Sequence, residues 1–242
     1  MLMDTTVTQI PTTPEADRQA RQQRQQAVVK ALSGVLPDRS ILWRDEAVTP
    51  FECDGLSAYR QRPLAVALPE THEQVGAVLK ACHALNVPVV ARGGGTGLSG
   101  GALPHAMGVT LSLARLNRIL HIDPLARTAV VECGVRNLAI SEAAAQHGLY
   151  YAPDPSSQIA CTIGGNVAEN AGGVHCLKYG LTVHNVLRVR GFTVEGEVLE
   201  LGSEALDAAG LDLLAAFIGS EGLLGVATEI TVRLLPKPQV AR

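Results

Sequence analysis

Hydrophobic positions recur with two different periods along the chain, and the places where the period changes mark its elements. Thr13-Pro14-Glu15 offers an N-cap hydroxyl, a proline at the first helical position and an acid in the first turn. The spacing predicts a helix from there to about Ser33, with Gly34 placed to end it. Ala20, Ala27, Val28, Ala31 and Leu32 give this helix only a thin apolar stripe, so its Arg/Gln-rich start reads as a solvated face. The dozen residues before it are polar and expected to be loose.

From Leu64 the pattern changes. Leu64 to Leu68 is a short apolar run that suits a buried strand. Thr71-His72-Glu73-Gln74 has capping-box spacing and opens a helix to about Leu85, which Asn86 and Pro88 stop. Val87 to Ala91 is the next strand. A strand, a helix and a second strand in this order imply a parallel crossover. Downstream, Val109–Leu113, Arg118–Ile122 and Thr128–Cys133 read as strands, with an Asp123-Pro124 turn between the last two. A helix over Asn137–His147 ends at Gly148. Val186–Val194 and Glu197–Leu201 flank a Glu195-Gly196 turn, a helix follows near Leu211–Ile218, and Gly225–Leu235 is the last strand. The reading is an α/β fold of two lobes.

Composition narrows the class. The chain has 242 residues, 20 Lys+Arg against 23 Asp+Glu and a net charge of −3, so no basic surface invites nucleic acid. No run of 18 apolar residues predicts a transmembrane segment, and no secretory leader is visible, so a cytoplasmic protein is expected. Five cysteines lack any C-x-x-C spacing, which fits buried reduced thiols; no paired His at ligand spacing predicts a metal. The 24 glycines change the picture more, because many of them fall in two clusters.

Arg92-Gly93-Gly94-Gly95-Thr96-Gly97-Leu98-Ser99-Gly100-Gly101 follows a strand and contains G-x-G-x-x-G. The context argues against the ordinary dinucleotide fold. A helix should open here, yet Gly100, Gly101 and Pro104 follow, and the acid expected about 20 residues on is missing. Consecutive glycines still let backbone N–H groups turn toward a phosphate with no Cβ in the way. The second cluster, Thr162 to Gly173, predicts a short helix capped by Thr162, bare at Gly164 and Gly165, with free first-turn N–H groups and an end at Gly172-Gly173. A glycine-softened core helix is the plainer alternative for that segment.

Arg92–Gly101, Tyr150–Gly173, Leu177-Lys178-Tyr179-Gly180, and Gly219-Ser220-Glu221-Gly222 through Gly225 to Thr231 together resemble the vanillyl-alcohol oxidase/PCMH superfamily. The resemblance covers about 63–232 and is nearest to its D-2-hydroxyacid dehydrogenase group, which includes glycolate oxidase flavin subunits. It implies a PCMH-type FAD-binding fold of two α/β lobes with FAD between them. It divides the chain into an N-terminal helical or extended segment, 1–62, and an FAD-binding domain, 63–242, without the substrate cap. By this likeness Arg92, Gly93, Gly94, Gly95, Thr96, Gly97 and Gly100 wrap the pyrophosphate. Pro153, Asp154, Thr162, Gly165, Asn166 and Gly172 line the ribityl and isoalloxazine side, and Gly225 and Ile230 contribute main-chain groups.

Some relatives link flavin to a His in the glycine loop; Thr96 stands at that place here, so FAD is expected to be non-covalent. The family moves hydride from a 2-hydroxy acid to flavin. The likeness further implies an iron–sulfur electron-transfer subunit, through which the protein would meet a membrane. Its catalytic base lies beyond the flavin domain, so no catalytic residue is assigned in this chain. His72 and His83 read as surface or packing residues, and His175 and Lys178 as candidates to face the flavin. A non-catalytic nucleotide- or partner-binding module, and an NADPH-dependent reductase on the same fold, remain the competing readings.

Overall fold

The computed structural model describes residues 14–203 and 210–238. The proposed cap residue Thr13 and the loose N-terminal dozen lie outside the described residues. Helix α1 (Pro14–Ser33) leads into strand β1 (Ile41–Leu42) and the short helix α2 (Asp45–Val48). Strand β2 (Ala65–Ala67), helix α3 (His72–Ala84) and strand β3 (Val89–Arg92) form the expected crossover unit, and β4 (Val109–Ser112) inserts between the two strands. The sheet order is β1-β2-β4-β3; β2 and β3 both run parallel to β4, and β1 adds antiparallel to β2.

Local chemistry explains the starts and stops. Thr71 Oγ1 accepts the Gln74 N–H at the start of α3, and Asn86 ends that helix in the left-handed region with φ 50°. Val75, Val78, Leu79 and Cys82 turn one face of α3 into the core. Helix α1 does likewise with Val28 and Leu32. Its polar face is less solvated than its composition suggests. Arg21 donates to the carbonyls of Ala106, Arg62 and Pro63, and Gln25 to those of Leu64 and Trp43, tying α1 across the ends of the sheet.

The second lobe is antiparallel throughout. Strands β5 (Ile119–Asp123), β6 (Thr128–Glu132), β8 (Val186–Phe192), β9 (Val198–Gly202) and β10 (Val226–Arg233) are arranged β5-β6-β10-β8-β9. Between β6 and β8 lie helix α4 (Asn137–Ala144), strand β7 (Leu149–Tyr150), and helices α5 (Ile163–Glu169) and α6 (Cys176–Tyr179). Gly148, with φ 68°, ends the turn that follows α4, as its position predicts. Helix α7 (Leu213–Phe217) precedes β10, and a short strand β11 (Leu235–Pro236) pairs with β7. Asp212 caps α7, which is shorter than the pattern predicts.

The lobes meet where α3 packs on β8. Gly76 lies against the Phe192 ring, Lys80 pairs with Glu197 at 3.3 Å, and His72 stacks on Phe192 with centroids 4.3 Å apart. No helix among the described residues is long and apolar enough to cross a membrane.

Candidate functional site

A cleft of about 350 Å³ runs between the lobes, walled by the first glycine loop, α5 with the turn before it, and the entry to β10. Strand β3 delivers the loop: Arg92 pairs with Ser112 of β4, and the chain then leaves the sheet without entering a helix. No hydrogen bond runs from the backbone N–H groups of Gly93 through Gly101 to any acceptor among the described residues. None of these residues is buried, so the N–H groups stay open to a ligand rather than being spent on the protein. A run of them facing one cleft matches the many oxygens of a pyrophosphate.

The loop is held from behind rather than from within. Arg92 Nη1 donates to the Cys53 carbonyl at 2.7 Å, and its guanidinium lies 5.8 Å from the Phe51 ring centre. Burial pushes the Arg92 guanidinium below its ordinary range, and Asp54 and Cys53 partly offset that push. Gly95 sits at φ 67°, and a Cβ there would run into the folded-back Arg92 guanidinium. Asp54 Oδ1 and Oδ2 accept the Leu56 and Ala102 N–H groups at 2.9 and 3.4 Å, fixing the far end of the loop. Across the cleft, Ser99 Oγ donates to Glu169 Oε2 at 3.1 Å, so the two glycine clusters touch directly.

The second cluster departs from expectation in two ways. Its first-turn amides are largely taken: Ile163 N–H donates to Val135 O and Gly164 N–H to Cys133 O, both at 2.8 Å. Only Gly165 N–H, 3.4 Å from its cap Thr162 Oγ1, is weakly held. The docked helix start presses so close to β6's end that a Cβ on Gly164 would lie 2.7 Å from Cys133 Cβ. The helix also ends earlier than Gly172-Gly173. Asn170, at φ 49°, stops it, because its Oδ1 accepts the Val183 N–H at 3.0 Å and holds the left-handed turn. Behind α5 a buried amide pair fixes the wall: Asn166 Nδ2 donates to Asn137 Oδ1 at 2.8 Å, and Asn137 Nδ2 to Pro153 O at 2.9 Å.

The structure brings Arg92, Gly93, Gly94, Gly95, Thr96 and Gly97 to the cleft together with Thr162, Gly165, Asn166 and Gly225. Five other residues singled out from the sequence stand outside its lining. Gly100 lies further along the loop at φ 79°, and buried Pro153 carries the carbonyl held by Asn137. Asp154 Oδ2 pairs with His175 Nδ1 at 2.6 Å. Gly172 backs onto Leu181 and Cys176, and Ile230 is wholly buried between β6 and β8. The cleft lining also contains Asp54, Cys133 and Cys161, which the glycine pattern does not reveal, and Glu169 and Ser220, which lie within glycine-rich stretches that assign them no contact. Ser220 Oγ is buried without a hydrogen-bond partner among the described residues, a polar atom that a ligand hydroxyl or ring edge can satisfy.

His175 and Lys178 do not line the cleft. The Lys178 ammonium lies 5.0 Å from the Tyr179 ring centre, and Tyr179 meets Tyr150 edge-on at 6.3 Å. Burial and the Tyr179 contact push the Tyr150 hydroxyl up to about 12. No His or Lys lines the cleft, and no group of three or more His, Cys, Asp or Glu among the described residues could hold a metal ion.

A family model described as "FAD binding domain" matches residues 63–202. The chain is 64% identical over 229 residues to glycolate oxidase subunit GlcD of Escherichia coli K12, covering 95% of this chain and 44% of that protein. It is 40% identical to glycolate oxidase subunit GlcD of Bacillus subtilis, over 79% of this chain and 41% of the relative. It is likewise 40% identical to D-lactate dehydrogenase of Archaeoglobus fulgidus, over 71% and 39%. Among solved structures, alkyldihydroxyacetonephosphate synthase superposes with a TM-score of 0.78 at 25% identity, over 88% of this chain and 44% of that one. The chain thus spans less than half the length of these relatives.

Proposed function

The chain belongs to the FAD binding domain family, and from that premise we propose that it forms the FAD-binding portion of a flavin-dependent 2-hydroxyacid dehydrogenase acting on glycolate or D-lactate. The observation that carries the reading is the run of backbone N–H groups from Gly93 to Leu98, which have no acceptor among the described residues and belong to residues lining a cleft between two lobes. Arg92 to Gly97 cradle the pyrophosphate in this reading, and Gly100 shapes the loop's exit. Thr162, Gly165, Asn166 and Gly225 border the ribityl and ring side. Pro153, Asp154 and Gly172 support that wall from behind, and Ile230 anchors β10. Thr96 offers no imidazole for a covalent link, so the cofactor is held without one.

Bound FAD supplies a two-electron acceptor for the hydride leaving the substrate's α-carbon as the hydroxy acid becomes a keto acid. This chain's residues bind and orient the cofactor, while the lobes keep water from its ring. The reaction also needs a base for the substrate hydroxyl and a cation for its carboxylate. No His or Lys lines the cleft, and the guanidinium of Arg92 is turned to the Cys53 carbonyl and the Phe51 ring, so both are assigned to the remainder of the longer protein. The relatives named as oxidase subunits support an electron-accepting partner, for which an iron–sulfur protein is the proposed class.

Purified protein incubated with FAD should retain about one flavin per chain after desalting. Anaerobic glycolate or D-lactate should bleach that flavin only when the rest of the longer protein is present. A colourless, FAD-refractory protein would refute cofactor binding. Steady turnover by this chain alone would refute the division of labour, and flavin bleaching by NADPH instead would favour a reductase.

A further inference from the structure

We infer that His72 is a positioning residue for the cofactor: its neutral imidazole pins the first lobe to the wall of the second, and its protonation opens the cleft and weakens FAD binding. The inference rests on the cleft holding FAD. His72 is the first residue of α3, yet its ring reaches the other lobe. Nδ1 lies 2.6 Å from Thr228 Oγ1, and the ring stacks on Phe192 of β8.

Thr228 is no ordinary strand residue. It sits at the register shift between Ala227 and Glu229, where β10 bulges against β8. Its carbonyl accepts the Cys133 N–H at 2.9 Å, and its hydroxyl donates to Arg190 O at 3.1 Å. The preceding residues Val226 and Ala227, and Cys133 itself, line the cleft. The bulge therefore presents its cleft wall on one side and a hydrogen bond to α3's first residue on the other.

Hydrogen-bond accounting fixes the protonation state. Because the Thr228 hydroxyl is spent on Arg190 O, Nδ1 must carry the proton that it donates to Thr228. That leaves Nε2 as a bare lone pair, and Nε2 is buried with no partner among the described residues. A second proton there would create a buried N–H without an acceptor beside a cation. The charged groups around the ring are Glu73 on α3, Arg190 on β8 and Glu229 on β10. Burial, then the Arg190 charge, hold the imidazole below the ordinary histidine value of 6.5, while the two carboxylates oppose less strongly. The sign follows: the clasp is fully present above 6.5, and weakens as pH falls from 6.5 toward the lowered value of the folded state, because the open state binds the extra proton.

The test is FAD retention, read by flavin fluorescence, from pH 8 to pH 5 in wild type, His72→Gln and His72→Phe. In wild type the dissociation constant should rise below pH 6.5, by at most about tenfold per pH unit for one proton. His72→Gln keeps an N–H for Thr228 without titrating; it should match wild type at pH 8 within about threefold and lose most of the acid slope. His72→Phe should bind more weakly at pH 8, also with a flattened slope. The melting temperature of cofactor-free protein provides a second reading that needs no flavin, and the wild-type fall in acid should shrink in both variants. Identical pH profiles for wild type and His72→Gln, in binding and in melting, would overturn the inference. Failure of wild type to take up FAD at pH 8 would instead strike the FAD reading, and the melting series would still decide whether His72 clasps the lobes.

Discussion

The two glycine-rich regions look alike in sequence and do opposite things in the structure. From Gly93 to Gly101 the backbone N–H groups have no acceptors among the described residues, and side chains such as Arg92 and Asp54 hold the loop from outside. From Ile163 to Ala171 the backbone N–H groups are mostly spent on the protein itself, and the missing Cβ at Gly164 lets α5 dock on Cys133. Glycine serves exposure of the backbone in the first region and closeness of packing in the second. Damage to the first should be felt by the cofactor, and damage to the second by the fold.

Four substitutions test that contrast. Gly95→Val combines a left-handed φ with a collision against Arg92. The partly exposed loop can relax away from that conformation in cofactor-free protein, so the strain, on the order of 3 kcal/mol, falls on binding. FAD affinity should drop about a hundredfold, with a smaller effect on melting than Gly164→Val. Unchanged flavin content would show the loop to be misassigned. Gly164→Val should do the reverse: overpacking against Cys133 costs about 1–3 kcal/mol and lowers the melting temperature of cofactor-free protein by several degrees. A normal melting curve for it would erase the distinction. Thr162→Ala removes the cap of α5 and should cost about 1 kcal/mol in chemical denaturation of cofactor-free protein. Ser99→Ala removes the bridge between the regions, an exposed hydrogen bond. Its effect on FAD affinity should be no more than about threefold, near 0.6 kcal/mol in titration, and a larger loss would make the bridge part of the binding apparatus.

Much of the frame was legible because it is locally encoded. The apolar run at Leu64, the Thr71 cap and the left-handed stop at Gly148 each depend on residues a few positions apart, and each forms. What escaped depends on distant partners. Strands β1, β7 and β11 are only two residues long and exist because an edge is there to pair with. The polar face of α1 looks solvated until Arg21 and Gln25 find carbonyls more than 15 residues away. Asn170 ends α5 where the sequence offers a more obvious stop at Gly172, since the amide side chain gains a bond to Val183 that glycine could not make. At the site, glycines announce the cradle by composition. Asp54 gives no such signal, being an ordinary polar residue brought in by a loop from elsewhere in the chain, and Ser220 lies in a glycine-rich stretch that does not mark its side chain as a contact.

Cys133 shows what this arrangement means for a protein that handles electrons. The residue belongs to the lining of the cleft yet is almost wholly buried, and burial, with Glu132 adding to it, pushes its thiol up to about 12. Oxidants and alkylating agents attack the thiolate, which at neutral pH is a vanishing fraction of such a group. The same close docking that forbids a side chain on Gly164 keeps this sulfur chemically quiet. The cleft wall can therefore include a thiol that fills space behind its surface without becoming a target for oxidants.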